Sequence, residues 1–203
     1  MTTIVYLVRH GQTNSNIAGL CASRSDEDLN DIGYAQARRL SARLATLPIA
    51  SVFASPLRRA YSTAVAVAEP HGIVPMIVDD LIEINHGDWQ GLHIDEISHK
   101  WPEIWKQWMS DPSEVSLPNG ESLVEVAERA IRVFRNIVDT DQDKQTIVIS
   151  HEITIKLIVV SVLGASKSIY RRFEIGNASL STIRFTHDQY QLLNLNDTSH
   201  LQP

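Results

Sequence analysis

Ile4-Val5-Tyr6-Leu7-Val8-Arg9-His10-Gly11 is an apolar run that stops abruptly at an arginine, a histidine and a glycine. The run is too short for a helix and shows no polar alternation, so it reads as a strand covered on both faces, the habit of a parallel sheet. Two later stretches repeat the pattern. Ser51-Val52-Phe53-Ala54 ends at Ser55-Pro56, and Thr146 to Ile149 ends at Ser150-His151. Helical signals lie between them. Asn30 can cap a helix that buries Ala37, Leu40 and Leu44 before Pro48, and Leu57 to Ala68 reads as a helix stopped by the Pro70 to Gly72 region. A turn at 118–122 leads into a helix to about Val138, and another helix follows His151. Ile73 to Val78 is a strand whose Pro75 favours an edge or a bulge. Leu180 to Phe185 and Gln191 to Leu195 are late strands. The alternation predicts a three-layer α/β/α fold around a mainly parallel sheet.

Bulk properties narrow the classes. A chain of 203 residues suits one domain with a sizeable core, and 43% hydrophobic with 21% charged residues is a globular composition. The net charge of -6 argues against non-specific nucleic-acid binding. Ile153 to Ala165 is interrupted by Thr154, Lys156 and Ser161, and no basic leader precedes the first strand, so neither a membrane partner nor export is expected. Cys21 is the single cysteine, which suits a reducing, cytoplasmic compartment. From Leu81 to Asn119 the text changes, carrying all four tryptophans. We read 81–119 as a Trp-rich cap covering the sheet, with Trp101, Trp105 and Trp108 at helical spacing as packing residues.

The reactive residues fall at one place in this pattern. His10, Arg59 and His151 lie just after an apolar run or in the first turn of the helix after it, and open α/β sheets bind ligands at that edge. Neutral imidazole is a nucleophile near pH 7 and can carry a phosphoryl group, so His10 is the candidate. Arg9 would favour its neutral form and neutralise phosphate oxygens. Gly11 allows close backbone approach, and Thr13 and Asn16 offer hydrogen bonds. In Ser55-Pro56-Leu57-Arg58-Arg59-Ala60, an arginine early in the helix can clamp an oxyanion.

Together these segments resemble the histidine phosphatase superfamily, in its phosphoglycerate-mutase-like branch. The resemblance rests on Leu7-Val8-Arg9-His10-Gly11-Gln12-Thr13 with Asn16, and on Leu29-Asn30-Asp31-Ile32-Gly33 with Ala35-Gln36-Ala37. Ser55-Pro56-Leu57-Arg58-Arg59-Ala60 with Thr63-Ala64 follows, then Glu83 with Gly87, Trp89 and Gly91, Gly120-Glu121-Ser122, and Ile149-Ser150-His151. It implies a phosphoglycerate-mutase-like fold in one histidine phosphatase domain over 1–203. It also implies that His10 is phosphorylated, that Arg9, Arg59 and His151 bind phosphate with Thr13 and Asn16 in lesser roles, and that Glu83 donates the proton. His86, three residues after Glu83, matches members that resemble metal-independent phosphoserine phosphatases. Two departures stand out. Glu152 replaces a common glycine and either perturbs His151 or points away, and Asp28 replaces a common proline.

The implied function is metal-independent hydrolysis of a small phosphorylated metabolite, with phosphoserine first among several candidates. No cofactor or metal is expected, since two arginines and a histidine supply the positive charge and the remaining histidines lack ligand spacing. Bound phosphate would raise the Glu83 pKa and the arginines would lower it, which leaves its protonation open. The alternatives are a phosphoglycerate mutase, although such mutases are usually longer, and a non-catalytic module that binds a phospho-ligand. Sheet edges and a tryptophan-rich cap make a homodimer an expectation as well.

Overall fold

The computed structural model describes residues 2–202. Its centre is a six-stranded sheet in the order β3-β2-β4-β1-β5-β6. The members are β1 (Thr2–Arg9), β2 (Ile49–Ala54), β3 (Met76–Ile77), β4 (Gln145–Ser150), β5 (Leu180–Thr186) and β6 (Gln189–Asp197). β1, β4, β2 and β3 pair in parallel, whereas β5 pairs antiparallel with both β1 and β6. The fold is therefore α/β with a mostly parallel sheet, as the apolar runs predicted. Pro75 leaves β3 with two residues at the sheet edge, where a missing N–H costs least.

Side-chain alternation along the buried strands builds two cores. Val5, Leu7 and Val148 face helices α6 (Leu123–Thr140) and α7 (Glu152–Val162). Val8, Ile147 and Ile149 face α2 (Asp31–Leu44) and α3 (Arg58–Ala68) on the other side. The helices start where their sequences say they should. The Asn30 side chain accepts from the Gly33 N–H, and Ser122 forms a capping box with Glu125, caps of a kind worth about 1 kcal/mol each.

Main chain meets main chain where α2 begins. A Cβ on Gly11 would lie 2.6 Å from the Gly33 carbonyl oxygen, and one on Gly33 would lie 2.1 Å from that of Gln12. These glycines let the helix press directly on the loop that follows β1.

The 81–119 stretch holds two short helices, α4 (Ile94–Lys100) and α5 (Pro102–Ser110). The Trp89 ring sits 5.8 Å from those of Trp105 and Trp108 and 6.5 Å from that of Trp101. Trp101 joins the helices rather than lying within one, because Pro102 begins a new helix there. This aromatic cluster packs on Leu123 and Val126 of α6 and Leu157 and Val160 of α7, so the segment rests on the helical layer more than on the strands.

Candidate active site

The carboxyl ends of β1, β2 and β4 lie side by side and bring His10, Arg59 and His151 together. Three contacts hold the His10 backbone. Its N–H donates to the Ser150 carbonyl at 3.1 Å, and its carbonyl accepts from Ala178 N–H at 3.1 Å and from Asn177 Nδ2 at 3.2 Å. The ring is oriented as firmly, with Nδ1 2.7 Å from the Gly11 carbonyl oxygen. A carbonyl can only accept, so Nδ1 carries the proton and Nε2 keeps its lone pair. Arg59 Nε donates to that nitrogen at 3.3 Å.

Arg59 is buried, yet its guanidinium is satisfied without an acid. Nη1 donates to the Ser25 carbonyl and Nη2 to the Ser23 carbonyl, both at 2.7 Å. Neutral partners leave its charge for a ligand. Arg9 reaches the Ile175 carbonyl at 2.6 Å and the Glu152 carboxylate at 2.9 Å. The His151 ring lies 5.1 Å from that of His10, with Nε2 2.7 Å from Ser55 Oγ and no protein partner at Nδ1 among the described residues. Because Ser55 Oγ also accepts from Leu57 N–H, its hydroxyl proton is free to go to His151. Burial, and then the two arginines, push the His10 pKa well below its ordinary value. The same causes, with burial first, do so for His151, and both rings are neutral near pH 7.

Glu83 is held chiefly through its main chain. Arg129 donates to the carbonyls of Asp80, Ile82 and Glu83 at 2.8, 2.7 and 3.2 Å, and its guanidinium also pairs with Glu121 at 3.0 Å. The Glu83 carboxyl accepts from Ile84 N–H at 2.9 Å and from Ile153 N–H, in the first turn of α7, at 3.3 Å. Burial raises its pKa with help from Glu152, and those N–H groups with Arg59 offset only part of the rise.

Glu152 points into the site rather than away. It bridges Arg9 and Lys156, the latter at 2.7 Å. His86 also lines the pocket, its ring edge-on to Trp108 at 6.4 Å and its Nδ1 buried without a partner among the described residues, and burial pushes its pKa down to about 4. Cys21 is another wall residue, with a thiol pushed up to about 12 by burial and Glu83.

One cavity of about 480 Å³ collects Arg9, His10, Asn16, Arg59, Glu83 and His86. Thr13 and His151 stand behind this wall. Thr13 caps α1 (Asn14–Ala18) in a capping box with Asn16, a cavity residue whose Oδ1 takes N–H groups from Thr13 and Asn177. Ser55, Asn177, Arg129, Lys156 and Arg171 were not singled out from the sequence. An arginine or lysine on a helix ordinarily reads as solvated, and only Lys156, in an apolar run, carried a signal.

A histidine with an unprotonated nitrogen, an arginine donating to it and a buried carboxyl in one cleft define a phosphoryl-transfer enzyme of the α/β class. The chain belongs to the histidine phosphatase superfamily, branch 1, whose family model matches residues 5–198. Phosphoserine phosphatase 1 of Hydrogenobacter thermophilus is 32% identical over 96% of this chain and 92% of its own. A probable phosphoglycerate mutase, GpmB, of Erwinia tasmaniensis is 31% identical over 98% of this chain and 94% of its own. The solved structure of Bacillus stearothermophilus YhfR superposes with a TM-score of 0.94 at 26% identity, covering 98% of this chain and 100% of that one.

Proposed function

We propose that this chain is a phosphomonoesterase that works through phosphorylated His10, with a small phosphorylated metabolite as substrate and phosphoserine as the first candidate. The observation that carries this reading is the His10 ring, its proton fixed on Nδ1 by Gly11 and its unprotonated Nε2 accepting from Arg59, an N–H that turns to the phosphate oxygens as phosphorus approaches. In the first step Nε2 attacks phosphorus, the P–O ester bond breaks and the departing oxygen takes the proton of Glu83. In the second, the Glu83 carboxylate takes a proton from water, the water oxygen attacks phosphorus and the N–P bond breaks. Arg9 and Arg59 balance the charge on the peripheral oxygens, while His151, behind the wall, is the neutral donor whose unpartnered Nδ1 the phosphate must reach by seating deeply beside His10. Asn16 Nδ2 adds a donor, and Thr13 positions Asn16. No step calls on a metal, so phosphate release is expected to continue in EDTA.

Residues 81–119 act as the cap of one domain, and the cytoplasm is the compartment we assign. The name of the phosphoserine-hydrolysing relative and the place of His86 on the wall favour phosphoserine. The test is phosphate release from phosphoserine by wild type and His10→Ala. Loss of about 10⁴-fold or more is expected, and substantial residual release in the variant would remove His10 as nucleophile. Similarity to a probable phosphoglycerate mutase keeps a second reading. Incubation with 3-phosphoglycerate separates the two, because isomerisation outrunning phosphate release would make the chain a mutase.

A further inference from the structure

α7 is apolar from Ile153 through Val162 apart from Thr154, Lys156 and Ser161, and Lys156 falls on its buried side. A lysine there needs a partner, since burying an unpaired ammonium is costly. Its only carboxylate among the described residues is Glu152, one turn earlier, and that group also serves Arg9. The ammonium lies 5.7 Å from the centre of the Tyr170 ring. Arg171 stands beside it at the end of the turn Lys167–Arg171, its guanidinium 5.4 Å from the Tyr170 ring centre and 5.8 Å from that of Trp108. It makes no ion pair among the described residues. Stacking on aromatic faces orients such a group and leaves its N–H edge available.

Both cations line the cavity that holds His10, and Lys156 sits one carboxylate beyond Arg9. The charges there do not balance. Arg9, Arg59, Lys156 and Arg171 share the wall with the carboxyl groups of Glu152 and Glu83, in a protein whose total charge is negative. A phosphomonoester dianion gripped by Arg9 and Arg59 leaves Arg171, without an ion-pair partner among the described residues, to face the rest of the ligand. A planar, singly charged group fits the guanidinium edge.

We infer that Lys156 and Arg171 form a second anion subsite, which reads the carboxylate of a substrate such as phosphoserine. This rests on the phosphatase reading of the same cavity and adds which side chains recognise the leaving alcohol. Arg171 reads the carboxylate directly. Lys156 supports it and holds Glu152 in place.

A matched pair of ligands tests this, because 3-phosphoglycerate and sn-glycerol 3-phosphate differ only in a carboxylate replaced by a hydroxymethyl group. Calorimetric binding in a His10→Ala background avoids turnover. 3-Phosphoglycerate is expected to bind about tenfold tighter, the effect of one charge-assisted contact. Arg171→Met should shrink that preference to about threefold or less, and Lys156→Gln should reduce it too. Arg172→Met, its exposed neighbour outside the cavity wall, should leave it intact. Equal binding of the two ligands, or a preference that survives both Arg171→Met and Lys156→Gln, overturns the subsite. Phosphate release by the wild-type chain is a separate readout. Its absence would sink the phosphatase reading while the binding ratio still decided the subsite.

Discussion

The cavity has two ends built by different means. At the strand tips, His10 and Arg59, with Glu83 of the 81–119 stretch set against them, are buried and positioned largely by main-chain groups: the Gly11 carbonyl, the Ser23 and Ser25 carbonyls, and the Ile84 and Ile153 N–H groups. At the other end, Trp105 and Trp108 from 81–119 and Tyr170 and Arg171 from the turn after α7 form an aromatic wall of side chains, Trp105 edge-on to Trp89, Trp108 edge-on to Tyr170 and Arg171 over both of the latter rings. Main-chain positioning fixes angles for bond making. Stacked side chains can be exchanged without moving the sheet. On the proposed function, the reaction belongs to one end and the choice of substrate to the other.

Substitutions can break that division, beginning with the strand tips. Arg59→Met should lower kcat by about 10³-fold, the scale on which an oxyanion donor matters, and steady-state kinetics with phosphoserine would measure it. A change confined to KM would show that Arg59 only gathers substrate. Glu83→Gln keeps the hydrogen-bonding shape but loses the transferable proton, so kcat should fall by about 10²-fold or more. An alkyl phosphate should suffer more than 4-nitrophenyl phosphate, whose leaving group needs no protonation, and equal losses would argue against Glu83 as the acid. At the aromatic wall, Trp108→Leu should raise KM about tenfold and lower kcat much less. A large loss of kcat with KM unmoved would end the two-ended view.

Glu152 sharpens the comparison, since it touches both ends. In the proposed first step Glu83 must be protonated, so kcat/KM is expected to fall as pH rises through its pKa, which burial has raised. The negative charge of Glu152 contributes to that rise. Glu152→Gln removes it and frees Arg9, and both changes favour ionised Glu83. The alkaline limb of the pH profile should therefore move to lower pH, and a shift to higher pH would mean that another group governs the limb.

The strand tips were also the more legible end. Short apolar runs ending in Arg9-His10, Ser55-Pro56 and Ser150-His151 announce a parallel sheet and its reactive edge, because burial on both faces suppresses alternation. The family resemblance added Glu83 and singled out Arg59. What stayed hidden depends on partners distant in sequence. Arg129 looks solvated on an amphipathic helix until the carbonyls of 80–83 fold against it. The direction of β5 cannot be read from its composition, and Glu152 could be placed only once Arg9 and Lys156 were in view. The placement of Thr13 and His151 behind the cavity wall is likewise a matter of rotamer and depth that residue type does not encode.

The contact between Gly11 and Gly33 limits how this protein can change over time. A side chain too large for its site can often be rescued by trimming the neighbour it strikes, but here the neighbours are peptide atoms that every residue possesses. A methyl group at position 33 would pry the helix off the loop that follows β1, and no second mutation could make room by shortening anything. Selection for recovered activity after Gly33→Ala should return glycine itself, while lesions in the aromatic wall are repaired by many routes.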